Sequence, residues 1–174
     1  MQFFKYNRGA AAAVLAVIVI LSILLGANRS ISSLAGRVED AFVKTQVQSD
    51  LTKYVTHARS FAAAAAALYG EDAALREAID ALDGSLTSPF DAPGRVSDIE
   101  DAAAAVYYTL QLDATAEESV KRSATAYYYE MQSTVQRLGN NSYYAERAGA
   151  YNKAIRAFPA SLLAPGRRPA VTFS

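Results

Sequence analysis

The chain has 174 residues, and its 17 basic and 17 acidic residues give it no formal net charge. It contains no cysteine, which excludes disulfides, thiolate metal sites and thiol nucleophiles. A chain of balanced charge without a dense basic face is not expected to bind nucleic acid.

An uncharged apolar stretch near the start dominates the sequence. Residues 9–27 carry no charge, and they lie between Arg8 and Arg29. A bilayer core about 30 Å thick needs roughly 20 helical residues, so this length is sufficient. The sequence therefore predicts a short tip over residues 1–8 and a single-pass anchor in membrane lipid over residues 9–27.

A cleavable secretory signal is the alternative interpretation of this stretch. A cut after Ala27 would place Leu25 where the processing enzyme prefers a small residue, which favours a retained anchor. The basic residues before the anchor, together with the terminal amine, favour a cytoplasmic N-terminus and a domain outside the membrane.

The next predicted element is a helix of about forty residues. Apolar residues recur at intervals of three and four from Ile31 to Leu68, which is the period of one helix face. Gly70 is expected to end this helix. No proline interrupts residues 26–33, so the helix is expected to continue directly out of the anchor.

Two short helices and a second long helix follow. The first short helix is predicted to start at Glu71 and Asp72 and to run to about Leu82, and the second runs from a capping box at Ser97 to about Leu112. The last long helix runs to just before Pro159, which cannot continue the helical hydrogen bonds.

These elements predict an all-α fold, with an N-terminal transmembrane helix followed by an antiparallel bundle of two long and two short helices. The bundle domain spans residues 28–158, and a tail spans residues 159–174. This geometry returns the C-terminus to the membrane, where apolar and basic residues suit the lipid surface: Arg156, Phe158, Leu162, Leu163, Arg167 and Arg168. The alternative is an ordinary tail lying on the bundle.

The stretch YNKAIRAFPASLLAP at residues 151–165 resembles the closing signature of the LemA family. The layout is similar too, since the family has one N-terminal anchor followed by a helical bundle. The chain is identified as a divergent member, because residues 48–53 lack the proline that the family carries there. The resemblance implies a bacterial membrane protein with no established enzymatic activity.

Tyrosines form the most distinctive set of side chains in the domain. Neighbouring residues of a helix point about 100° apart, so a doublet or triplet cannot lie wholly in one core. The rings either fill space over small alanines or form a surface for a partner. The candidate surface residues are Tyr107, Tyr108, Tyr127, Tyr128, Tyr129, Tyr143 and Tyr144.

No catalytic, cofactor-binding or metal-binding residue is predicted, and the single histidine, His57, is interpreted as a solvated side chain. The expected function is that of a non-enzymatic scaffold or accessory subunit that contacts unidentified proteins of the bacterial cell envelope. Small residues of the anchor, residues 9–13, could also support a homo-oligomer. The alternative function is a sensor that binds a small ligand between the bundle helices.

Overall fold

In the computed structural model of the chain, residues 8–90, 93–158, 161 and 166–173 are described. All regular secondary structure within these residues is helical. The six helices are α1 Arg8–Lys44, α2 Val47–Tyr69, α3 Ala73–Asp83, α4 Pro93–Leu112, α5 Glu118–Gly139 and α6 Ser142–Arg156. The predicted all-α fold is confirmed.

Helix α1 combines the apolar N-terminal stretch with the first part of the bundle. Of the helices in the described ranges, it alone is long and apolar enough to cross a membrane, and no residue of its most apolar 18-residue stretch is buried. Its later residues Ile31, Val38 and Phe42 are all buried in the core. The predicted continuation from the apolar stretch into the bundle is therefore confirmed.

The prediction of a single forty-residue helix is wrong in one respect, because the helix is interrupted after Lys44. Gln46 adopts a left-handed backbone conformation with φ of 64°. The hydroxyl of Thr45 donates to the carbonyl of Ala41 over 2.7 Å, in competition with the helical hydrogen bonds. The end predicted at Gly70 is confirmed, since this glycine has φ of 76° and its amide closes the last turn of α2.

The second long helix is also divided. Helix α5 ends at Gly139, and α6 starts at Ser142 after two asparagines. Asn141 caps α6, because its side-chain oxygen accepts a hydrogen bond from the amide of Tyr144 over 3.1 Å. The sequence Gly-Asn-Asn contained this signal, but the continuous apolar stripe concealed it.

The bundle has two levels along its long axis. The end of α1 packs against α6, whereas α2 packs against α5 and also carries α3 and α4. Both long pairs are antiparallel, and the two short helices lie at the end far from the apolar N-terminal stretch. One continuous core joins the levels; its largest fully buried side chains include Phe42, Leu51, Tyr54, Phe61, Leu82, Ile99, Leu110, Met131 and Tyr144.

The short helices follow the prediction with one correction. Asp72 caps α3 as expected, since its carboxylate accepts from the amide of Leu75 over 2.8 Å. Helix α4 begins at Pro93, four residues before the predicted cap at Ser97. Proline suits a first helical position because its fixed φ is already helical and no amide is required there.

The C-terminal tail turns back along α6. Asn152 holds it through two hydrogen bonds to the backbone of Ala170, of 2.8 Å and 2.6 Å. The amide of the buried Val171 donates to the carbonyl of Pro89 over 2.9 Å. The described part of the tail, residues 166–173, thus links α6 to the loop after α3.

Candidate functional site

Four of the predicted tyrosines meet between α4 and α5, and they are named here the tyrosine cluster: Tyr107, Tyr108, Tyr128 and Tyr129. The rings of Tyr107 and Tyr128 are stacked, with centroids 4.2 Å apart and an angle of 4° between planes. Tyr108 lies edge-on to Tyr107 at 5.7 Å, and Tyr129 lies edge-on to Tyr128 at 6.4 Å. The cluster is a continuous row of four aromatic rings.

The inner rings of the cluster are fixed and the outer rings are free to contact other molecules. Tyr128 packs on the fully buried Phe61 of α2 with centroids 5.9 Å apart. Tyr108 and Tyr129 are 61% and 62% exposed. Rigid aromatic rings lose little conformational entropy on binding, which is why tyrosine is common in protein interfaces.

The partly buried carboxyl group of Glu100 interacts electrostatically with Tyr128 of the cluster. Burial, and then the nearby charge of Asp101, raises the pKa of Glu100, while a hydrogen bond from Gln132 opposes this shift. Burial also raises the pKa of Tyr128 and of Tyr54, whose hydroxyl donates to the carbonyl of Val96 over 3.4 Å. The buried phenol of Tyr54 is therefore neutral and acts as a hydrogen-bond donor in the core.

The other predicted tyrosines lie outside the cluster. Tyr127 is 36% exposed, and Tyr143, 53% exposed, lies under the guanidinium of Arg147 at 4.8 Å. Tyr144 is 1% exposed, so its assignment to a partner surface is wrong. Its ring lies between Phe42 and Phe173, each 6.1 Å away, because it faces the core at the break between α5 and α6.

A groove lies at the far end of the bundle, where the sequence had indicated a pocket between the bundle helices only as an alternative. It has a volume of about 670 Å³ and lies between α2, α3 and α4. One wall consists of alanines, including Ala62, Ala66 and Ala105, and the opposite wall includes the buried Leu75 and Ile79. The alanine runs were the available signal, because small side chains leave space between helices. We call this feature the alanine groove.

Ion pairs form the rim of the alanine groove. Arg59 contacts Asp83 at 2.9 Å and Asp80 at 3.4 Å, and Arg76 contacts Glu71 at 2.7 Å. The groove can therefore accept apolar groups along its walls, with polar atoms near its edge. Tyr107 and Tyr127 do not line it, although Val106 does.

At one end of the groove, Tyr69 links α2 to the loop before α5. Its hydroxyl donates to the carboxylate of Asp113 over 2.7 Å, and the hydroxyl and amide of Thr115 donate to the same carboxylate. These hydrogen bonds, that of the Thr115 hydroxyl first, lower the pKa of Asp113 to about 2.

The predicted membrane-surface residues are partly brought together beside the start of the bundle. The guanidinium of Arg167 donates to the side chains of Asn28 and Ser32, at 2.9 Å and 3.1 Å. Arg156, Phe158 and Arg168 are exposed. Two further predicted residues, Leu162 and Leu163, lie outside the described residues.

Among the described residues, no group of three or more His, Cys, Asp or Glu side chains is arranged to hold a metal ion. Comparison with protein-family models, with curated proteins and with solved structures gave no match for this chain. The resemblance to the LemA family therefore stays a prediction from residues 151–165.

Proposed function

We propose that this chain is a single-pass membrane protein of the LemA type whose helical bundle acts through protein contacts. Its role is that of a non-enzymatic scaffold or accessory subunit in the bacterial cell envelope. The N-terminus lies in the cytoplasm, and the bundle stands outside the membrane.

The continuity of α1 supports a retained anchor. Residues on both sides of Ala27, after which a secretory signal would be cut, belong to one helix, Arg8–Lys44. A secretory signal needs a cleavage site with small residues directly after its apolar segment. Here Ile31 is buried only a few residues further on, so the helix is held by the core close to that position.

The tyrosine cluster is the observation that carries the proposed protein contacts. Its outer rings, Tyr108 and Tyr129, are exposed on two different helices, and the inner ring of Tyr128 packs on the core residue Phe61. This arrangement presents preorganised aromatic surface, which lowers the entropic cost of binding a partner.

Site-specific photocrosslinking in native membranes tests this function. A photoreactive residue replaces Tyr129 or, separately, Tyr108, and the matched control replaces Tyr143, an exposed tyrosine outside the cluster. A discrete adduct from both cluster positions, with none from the control, supports the proposal. An adduct of twice the mass would identify a homo-oligomer. No adduct at either cluster position in the folded, membrane-bound protein would contradict it.

The alanine groove supports a second candidate function, the binding of a small apolar ligand. Its volume of about 670 Å³ lies within the range of about 300 to 1,000 Å³ that ligand sites occupy. Binding of a fluorescent apolar dye to the wild type, and its loss in Ala66→Trp, would favour this function. Exposed Ala67→Trp is the control, because residue 67 does not line the groove.

A further inference from the structure

The distribution of charge along the folded chain is strongly asymmetric. Residues 39–148 contain all 17 acidic residues and nine basic residues, a formal charge of −8. The segments at the other end of the bundle, residues 28–38 and 149–173, contain six basic residues and no acidic residue.

Tertiary structure brings these two basic segments to the same place. Helix α6 packs against α1, and the guanidinium of Arg167 donates to Asn28 and Ser32, immediately after the apolar part of α1. The hydroxyl of the buried Tyr151 donates to the carbonyl of Arg168 over 3.3 Å, which fixes the tail beside α6. We name the resulting set of cations the basic collar: Arg29, Arg37, Lys153, Arg156, Arg167 and Arg168.

Ordinary helix stabilisation does not account for the whole collar. Lys153 and Arg156 lie in the last turn of α6, where cations stabilise the helix dipole. Arg29 and Arg37 lie inside α1, and Arg167 and Arg168 lie beyond the helices. Five of the six side chains are exposed, the exception being the half-buried Arg167.

We propose that the basic collar binds the headgroups of anionic phospholipids in the leaflet on the bundle side of the membrane. Along α1, residues 28–37 span only about 14 Å from the end of the anchor, so the collar lies close to the headgroup region. Phe158, 80% exposed beside Arg156, supplies an apolar side chain for the interface. The net negative charge of residues 39–148 keeps the rest of the bundle away from the same lipids.

This proposal rests on the proposed anchoring and names the lipid class that the anchored protein prefers. A single tryptophan can report the contact, because the chain contains no tryptophan of its own. The full-length Phe158→Trp protein is reconstituted in mixed vesicles of phosphatidylcholine and phosphatidylglycerol, in which one or the other lipid carries brominated acyl chains. Quenching by each brominated lipid measures which lipid lies beside residue 158.

The expected result is a preference for phosphatidylglycerol of at least about fivefold at low salt, since each cation near a surface contributes roughly that factor. Screening by added salt should reduce it. In the same Phe158→Trp background, Lys153→Gln with Arg156→Gln should lower the preference by at least about threefold. The matched control, Lys53→Gln with Arg122→Gln, removes one exposed lysine and one exposed arginine outside the collar and should leave it unchanged.

Co-flotation with the vesicles separates the two proposals. Protein that floats but is quenched equally by both lipids overturns the basic collar and leaves the anchor intact. A preference that survives the collar substitutions also overturns the collar. Protein that does not float overturns the anchor and, with it, the collar.

Discussion

The side-chain amide of Asn141 donates a hydrogen bond to the backbone carbonyl of Thr45 over 3.1 Å. This contact joins residues 96 positions apart and places the break between α1 and α2 level with the break between α5 and α6. The same Asn141 side chain caps α6 through its oxygen. One residue therefore both starts a helix and connects the two levels of the bundle.

Replacement of Asn141 should destabilise the protein through two separable effects. Asn141→Ala removes the cap, worth about 1 kcal/mol, and the hydrogen bond to Thr45, worth about 0.5–1.5 kcal/mol. Asn141→Ser retains a capping oxygen and loses only the amide donor, so it should cost less. Urea unfolding at fixed detergent concentration measures both variants. An equal loss of unfolding free energy in Asn141→Ala and Asn141→Ser would contradict the bridging role of the side-chain amide.

Replacing Gln46 with glycine should relieve the strain of its left-handed backbone conformation. This conformation costs about 1–2 kcal/mol for a residue with a side chain, and glycine's greater freedom when unfolded offsets part of the gain. Gln46 is exposed, so Gln46→Gly should raise the free energy of unfolding by about 0.5–1 kcal/mol. Gln46→Ala keeps the strained conformation and should give no gain. A destabilised Gln46→Gly variant would show that the break does not fix this conformation in solution.

Removal of the Tyr144 hydroxyl should stabilise the core. This buried hydroxyl has no hydrogen-bond partner within the described part of the chain, and burial raises its pKa. Tyr144→Phe should therefore raise the free energy of unfolding by about 1 kcal/mol. Tyr54→Phe is the matched control, because its hydroxyl does donate to Val96, and it should lose about 0.5–1.5 kcal/mol. A loss of stability in Tyr144→Phe would indicate a buried water on that hydroxyl.

Asn152 should control the position of the C-terminal tail. Asn152→Ala removes both hydrogen bonds to Ala170, so hydrogen exchange of the Ala170 and Val171 amides should become at least about tenfold faster. Asn140→Ala serves as control, since it removes an exposed asparagine side chain that does not bond to Ala170. Unchanged exchange in Asn152→Ala would mean that the other contacts of the tail, including those of Val171 and Arg167, hold it without Asn152.

Asp113 should contribute stability that depends on pH. Its folded pKa of about 2 lies below its ordinary value of 3.8, so the contribution is present above about pH 4 and is lost as the pH falls towards 2. Asp113→Asn should have a lower melting temperature than the wild type at pH 6, and the gap should narrow as the pH falls from about 5 to about 2. A gap that stays constant with pH would contradict a role for the carboxylate charge. The affected contacts are the hydrogen bonds that the carboxylate accepts from Thr115 and from Tyr69.

Some features of the bundle could be predicted because they depend on local chemistry. The end of α2 at Gly70 and the cap of α3 at Asp72 each follow from residues within one helical turn. The breaks at Gln46 and Asn141 were not predicted, because the apolar stripe continues across both of them and concealed the local signal of Gly139, Asn140 and Asn141. Each break is stabilised by contact with the other helices, such as the hydrogen bond from Asn141 to Thr45. The apolar stripe along a single helix does not show such contacts.

The candidate site also has features that the sequence could predict and features that it could not. The sequence indicated that a tyrosine doublet and triplet must place some rings outside the core, but not which rings. The tertiary structure decided which rings are buried, because Tyr128 packs on Phe61 and Tyr144 is buried against Phe42. The alanine groove depends on three helices from distant parts of the chain, so the alanine runs alone could not reveal it.

The sequence by itself determined the helical class, the apolar N-terminal stretch and the balance of charge, because these follow from composition and from a period of three to four residues. Only the tertiary structure decided which distant residues meet. It joined Thr45 to Asn141 and Asn152 to Ala170, and it placed Arg167 beside Asn28. Such pairings are fixed by the shared core, which forms only when all the helices pack together.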